Sequence, residues 1–235
     1  VTCISKCSAC VHCNLGALKK TVDAFLAEAG VSMDDIRCTV VTGSQIVDGM
    51  KRFINYDFQV SEVSAHVAGA LHFHPHVKAI LDVGGQDSKV IAVEDGAVQD
   101  FVMNDKCAAG TGRFLQVLSG ILGMELPELG QAAATGKPVS ISSMCAVFAE
   151  TEIIGLLAQG TAPADIAAGV YLSIARRMRG LAARIPLKGG CTFTGGLATS
   201  PAFSGLLAAE LGVPVNVPDD PQTVGALGAA LVAAR

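Results

Sequence analysis

Three short segments of the 235-residue chain combine residue types that can hold a charged ligand. The first is Asp82-Val83-Gly84-Gly85-Gln86-Asp87-Ser88-Lys89, where an apolar run ends on a carboxylate, turns over two glycines and leaves through a polar cluster. Glycine lets backbone N–H groups approach a phosphate with no side chain in the way. Asp82 and Asp87 offer the oxygen ligands that a hydrated Mg2+ prefers. Taken alone, the pattern also fits a tight hairpin with two surface acids. The second segment is Thr194-Gly195-Gly196, between a strand-like run and a helix that opens at Pro201. Such a junction makes a flat surface on which an adenine ring can lie.

The third pattern is a pair of cysteines. Cys107 stands in Asn104-Asp105-Lys106-Cys107-Ala108-Ala109-Gly110-Thr111-Gly112-Arg113, and Cys145 in Ser142-Ser143-Met144-Cys145-Ala146-Val147-Phe148. Each precedes a predicted helix, whose positive N-terminal end stabilises a thiolate and whose free N–H groups can face sulfur. Two thiolates are half of what a 4Fe–4S cluster needs, and a two-fold dimer would supply the other pair. A bare pair of cysteines equally fits two buried or capping thiols. Cys3, Cys7, Cys10 and Cys13 fall within eleven residues, a spacing that suits zinc or an iron–sulfur cluster. The first three also match the spacing of radical-SAM enzymes, whose barrel this chain has no room for. Cys38 and Cys191 sit in apolar runs and read as buried core thiols. His72, His74 and His76 flank Pro75 with no local carboxylate or cysteine, so they read as a surface loop.

These segments need a scaffold, and the hydrophobic periodicity supplies one. Helical spacing is expected over 15–29, with Gly30 as the stop, and from an N-cap at Ser61 to about residue 71. Strands are expected at 38–42, 77–83, 88–93 and 97–103, the last two joined by an Asp95-Gly96 hairpin turn. Helices follow near 111–122, 126–134, 146–159 and 163–184, then a strand at 191–194, a helix at 201–211, a strand at 214–217 and a helix at 224–234. Gly225 and Gly228 in that last helix permit close backbone packing. The mix argues an α/β protein.

Composition excludes several classes. Seventeen basic against 21 acidic residues give a net charge of −4, without the basic excess that nucleic-acid binding requires. Apolar residues make up 51% and charged residues 16%, enough for a sizeable core. No run of 18 apolar residues marks a membrane span, and no signal-peptide pattern opens the sequence, so a soluble, cytoplasmic protein is expected.

In this order and at these separations, the segments resemble the second phosphate motif, the adenosine motif and the second connecting helix of the sugar kinase, heat-shock chaperone and actin ATPase superfamily. From about Leu15 onward, the chain is similar to the ATP-dependent activators of 2-hydroxyacyl-CoA dehydratases and the ATPase subunits of benzoyl-CoA reductase. The Cys107 motif and the run Val60-Ser61-Glu62-Val63-Ser64-Ala65-His66 share in the likeness. The resemblance implies two ribonuclease-H-like domains. Their expected parts are a Cys-rich segment at 1–14, a truncated first domain at 15–76, a second domain at 77–218, and a C-terminal helix at 219–235 that packs back on the first. It implies Cys107 and Cys145 as ligands of one 4Fe–4S cluster per homodimer. Asp82, Gln86 and Asp87 become the catalytic side chains with Mg2+. Gly84, Gly85, Lys89, Thr194, Gly195 and Gly196 become the ATP contacts. The implied activity is an ATPase coupled to one-electron transfer, from a donor such as a ferredoxin or flavodoxin to an acyl-CoA dehydratase or reductase. Two departures stand out: the family's first phosphate loop, Asp-x-Gly-Ser-Thr-x-x-Lys, is not found in these residues, and Thr42-Gly43-Ser44-Gln45 replaces Thr-Gly-Tyr-Gly-Arg. They keep two alternatives open, a non-hydrolysing cluster carrier or scaffold and a small-metabolite kinase of the same superfamily.

Overall fold

The computed structural model describes residues 15–43, 55–104, 108–142, 146–187 and 189–234. Its centre is a five-stranded sheet built from β3 (Ala79–Val83), β4 (Ser88–Glu94), β5 (Ala97–Asn104), β6 (Cys191–Thr194) and β7 (Val215–Asn216). The spatial order is β5-β4-β3-β6-β7. β3, β4 and β5 form an antiparallel meander, while β6 and β7 run parallel to β3. The expected hairpin turn is present: Asp95 and Gly96 both take positive φ, 50° and 77°, the geometry a two-residue turn of right-handed twist demands.

Both faces of the sheet are covered at its centre, so β3 and β4 alternate between two cores, while the edge strand β5 is largely exposed. Ala79, Leu81 and Val83 join Val90, Ala92 and Phe193 in the larger core. That core lies under α3 (Gly112–Leu122), α4 (Leu126–Thr135), α5 (Ala146–Ala158), α6 (Pro163–Ala182) and α7 (Pro201–Leu211). On the opposite face Ile80, Ile91 and Val93 pack with Val67, Ala70 and Val224. Those last three belong to α2 (Glu62–Phe73) and α8 (Val224–Ala233). Period-2 alternation therefore sends Asp82 and Lys89, two residues from Ile80 and Ile91, toward α2.

α1 (Leu15–Ala29) ends, as expected, at Gly30 with φ 67°. β1 (Val40–Thr42) pairs in parallel with β2 (Phe58–Val60) in a separate two-stranded sheet. β2 escaped the sequence reading because three residues carry too little alternation to register. α8 packs against α2 and β1. The contact is close because glycines make it: a Cβ at Gly228 would sit 1.7 Å from the Ala65 carbonyl oxygen, and one at Gly69 would sit 2.0 Å from that of Val224. Other element ends fall within two residues of expectation, the usual fraying range. No described helix is long and apolar enough to cross a membrane.

Candidate active site

Three neighbouring strands end in a polar row. The β-ladder places Asp82 of β3 opposite Lys89 of β4 on one side and Thr194 of β6 on the other. All three point to the α2 face and are buried. Thr194 Oγ1 donates to Asp82 Oδ1 at 2.9 Å. The Lys89 ammonium, 1% exposed, donates to Asp87 Oδ1 at 2.7 Å and lies 3.1 Å from Glu62 Oε1 and 3.7 Å from Asp82 Oδ2. Burial by itself would lower the lysine's pKa, but Asp82, Glu62 and Asp87 together hold it above the ordinary value.

Glu62 and His66 complete the cluster and were not among the sequence candidates. They lie four residues apart on one face of α2 and within the Val60–His66 run that shares in the family likeness, the two signals that could have marked them. His66 Nε2 is 3.7 Å from Asp82 Oδ2 and 4.0 Å from Glu62 Oε1. Ligand atoms of Glu62, His66 and Asp82 lie within 4.8 Å of one another, a spacing that suits a divalent cation. Lys89 already meets both carboxylates, so a cation held through its own water shell fits this donor set better than a bare ion.

Both glycine turns border the row. Gly84 and Gly85 follow β3, and the Gly84 amide closes the turn on the Asp87 carbonyl at 3.0 Å. Gln86 is half-buried at the tip. Gly195 follows β6 with φ 91° and ψ −179°, a conformation open only to glycine. A Cβ there would come 2.4 Å from the Val83 carbonyl oxygen and 2.9 Å from Asp82 Oδ1, so the two turns adjoin. The Gly195 amide donates to Pro221 O at 2.9 Å, which brings the segment before α8 to the same place. At Gly196 the space is more open: the nearest atom to a Cβ would be Gln222 Nε2 at 3.5 Å. The structure thus brings together Asp82, Asp87, Lys89, Thr194 and both glycine turns. Lys89 lies beneath the first turn, with its charge directed to carboxylates.

Cys107 and Cys145 lie outside the described residues, as do Cys3, Cys7, Cys10, Cys13, Ser44 and Gln45. Their described neighbours revise one expectation. A 3-10 turn, Ala108–Gly110, separates Cys107 from α3, and the first amides of α3 are engaged. Gly112 N donates to Gly84 O at 2.8 Å and Arg113 N to Gly85 O at 2.9 Å. The start of this helix is directed to the glycine turn, so these two amides, expected to be free, are engaged by carbonyl oxygens. α5 begins at Ala146, directly after Cys145.

The remaining candidates are structural. Cys191 is buried, and burial pushes its thiol up to about 12. Cys38, expected in a buried strand, is only half-buried and stands two residues before β1 begins. His72 closes the last turn of α2, and His74 caps it. His74 Nδ1 lies 3.0 Å from Thr192 Oγ1, which ties the loop to β6.

A sheet of order β5-β4-β3-β6-β7, with the carboxylate of Asp82 near the end of β3 and glycine turns after β3 and β6, is the arrangement of the actin-like ATPase fold, which solved structures similar to this chain share. Within that class the chain belongs to the BadF/BadG/BcrA/BcrD ATPase family, whose profile matches residues 8–233. Among its relatives is the (R)-2-hydroxyglutaryl-CoA dehydratase activating ATPase of Acidaminococcus fermentans, 42% identical over 217 residues, 91% of this chain and 82% of that protein. The crystal structure of the (R)-2-hydroxyglutaryl-CoA dehydratase component A from the same organism superimposes with a TM-score of 0.86 at 40% identity, covering 94% of this chain and 85% of the other. The activator of the 2-hydroxyisocaproyl-CoA dehydratase from Clostridium difficile, solved with bound ADPNP, gives 0.84 at 39% identity, with 91% and 79% covered.

Proposed function

We propose that this chain is an ATP-dependent one-electron activator. It binds ATP with Mg2+ across the two glycine turns and forms a homodimer that shares one 4Fe–4S cluster through Cys107 and Cys145. It takes electrons from a donor such as a ferredoxin or flavodoxin and passes them to an acyl-CoA dehydratase or benzoyl-CoA reductase-type partner. The cluster supplies one-electron storage. The chain's own residues do the rest: Gly84 and Gly85 let phosphates approach backbone, Asp82 and Asp87 receive the water shell of Mg2+, Gln86 faces the attacking water, and Gly195 and Gly196 seat the adenosine.

One observation carries this reading: the turn that would meet phosphate accepts two hydrogen bonds from the start of the helix that follows Cys107. A nucleotide site and a cysteine segment joined in this way suit a protein in which ATP acts on a metal centre. They suit a small-metabolite kinase less well. A non-hydrolysing carrier is the second reading, favoured by the ion pairing of Lys89 with both Asp82 and Asp87.

Anaerobic purification with iron and sulfide analysis tests the proposal. About four iron per dimer are expected, lost in Cys107→Ser and Cys145→Ser and retained when residues 1–13 are deleted. Iron that disappears with residues 1–13 and is indifferent to Cys107→Ser would overturn it. Phosphate release from Mg-ATP by the loaded dimer separates the activator from the carrier.

A further inference from the structure

Ser88 opens β4, is 1% exposed, and has two ties into the chain around Cys107. Its backbone is the ladder partner of Asn104, the last residue of β5. Its hydroxyl donates to the carbonyl of Gly110 in the 3-10 turn. In sequence, Cys107 lies between those two partners, so one serine holds the chain on both sides of it. The fit there leaves no slack: a Cβ at Gly110 would come 2.8 Å from Asn104 Nδ2, and one at Gly112 would come 3.2 Å from Gly84 O.

Ser88 also belongs to the glycine turn. The turn is closed by Gly84 N on Asp87 O, and Asp87 is fixed by Lys89 at 2.7 Å, so residues 84–89 move as one piece. Its side chains point opposite ways. Asp82 and Lys89 face α2 and the polar row; Ser88, one residue out of phase, faces α3 and the Gly110 turn.

We infer that Ser88 is a positioning residue that couples occupancy of the glycine turn to the residues flanking Cys107. The inference rests on the proposed nucleotide site and adds to it the route by which binding is felt at the cysteine segment. A displaced turn carries the Gly84 and Gly85 carbonyls and the Ser88 hydroxyl with it, and all three grip residues 110–113. The Ser88 hydroxyl is the one side-chain contact among these ties, so it can be removed without touching the turn's backbone.

Hydrogen exchange read by mass spectrometry on the full chain, with and without Mg-ADPNP, tests this, with ADPNP affinity measured by calorimetry on the same samples. In wild type, ADPNP is expected to slow exchange over residues 108–115 by about tenfold or more. Ser88→Ala should bind ADPNP within about threefold of wild type yet lose most of that response. Exchange over α6 should be unchanged, which excludes general loosening. A second variant, Arg113→Pro, deletes the Arg113 amide that donates to Gly85 O, at a first-turn position where proline is tolerated, and should also blunt the response. A response that persists in Ser88→Ala, or its absence in a wild type that binds ADPNP, would overturn the inference and leave the nucleotide site standing. A wild type that binds no ADPNP would instead remove the nucleotide site itself, and this inference with it.

Discussion

Burying an ammonium group beneath a strand–turn junction is unfavourable unless carboxylates surround it, and Lys89 has three within 4 Å. Removing the cation leaves Asp82, Asp87 and Glu62 facing one another with little solvent to screen them. Lys89→Met is therefore expected to cost about 3 kcal/mol at neutral pH, measured by urea denaturation. The pH dependence has a definite sign. The folded lysine holds its proton above the ordinary 10.5, so its contribution is complete at neutral pH and below. It is lost as pH rises past 10.5 and through the folded value. Wild-type stability should fall across that alkaline window more steeply than that of Lys89→Met. Equal slopes would mean that the three carboxylates do not hold the ammonium.

At the scale of elements, the contact of α2 with α8 is set by backbone approach more than by side-chain area. Gly69 and Gly228 let carbonyl oxygens of the opposite helix come where a Cβ would otherwise stand. The geometry is tight because Glu62 and His66 must reach the polar row from α2 while α8 lies across the same helix. A methyl at position 228 would overlap the Ala65 carbonyl oxygen and crowd the Gly69 amide nitrogen, both backbone atoms of α2. Gly228→Ala is expected to lower stability by about 2–3 kcal/mol, in the range of overpacked cores. Gly205→Ala, at an α7 position with open space around it, should be neutral or slightly stabilising. Similar thermal midpoints for the two variants would contradict the close packing.

At the scale of the whole molecule, the two glycine turns belong to strands more than a hundred residues apart in sequence, brought together by the β3–β6 pairing and the Thr194–Asp82 hydrogen bond. A ligand that spans both should stabilise the folded chain as a unit. At a hundredfold excess over its dissociation constant, ADPNP is expected to add about 2.7 kcal/mol. For a protein of this size that is a rise of about 5–10 °C in thermal midpoint. Gly195→Val should abolish the rise, because its φ of 91° and the 2.4 Å approach of a Cβ to Val83 O leave no place for a side chain. A full shift in that variant would move the nucleotide elsewhere on the surface.

Local sequence by itself determined the helices and strands other than the short β2. The Asp95-Gly96 turn, the Gly30 stop and the period-2 runs around Ile80 and Ile91 depend on neighbours a few residues away, so their signals are written in short windows. The glycine turns and Asp82 were legible for the same reason, each being a strand end followed by residues that only a turn tolerates. Only the tertiary structure decided what those groups meet. Lys89 reads in sequence as a cation free to contact a ligand; the ladder register and the arrival of α2 make it the centre of a carboxylate cluster. Glu62 and His66 show in sequence only as a four-residue spacing within the Val60–His66 run, since their role exists only because α2 crosses the sheet above Asp82. The amides at the start of α3 look free in sequence, yet Gly112 and Arg113 give theirs to the Gly84–Gly85 carbonyls. Propensity and periodicity act over a few residues. Charge neutralisation and hydrogen-bond satisfaction are settled between segments that the chain separates and the sheet reunites.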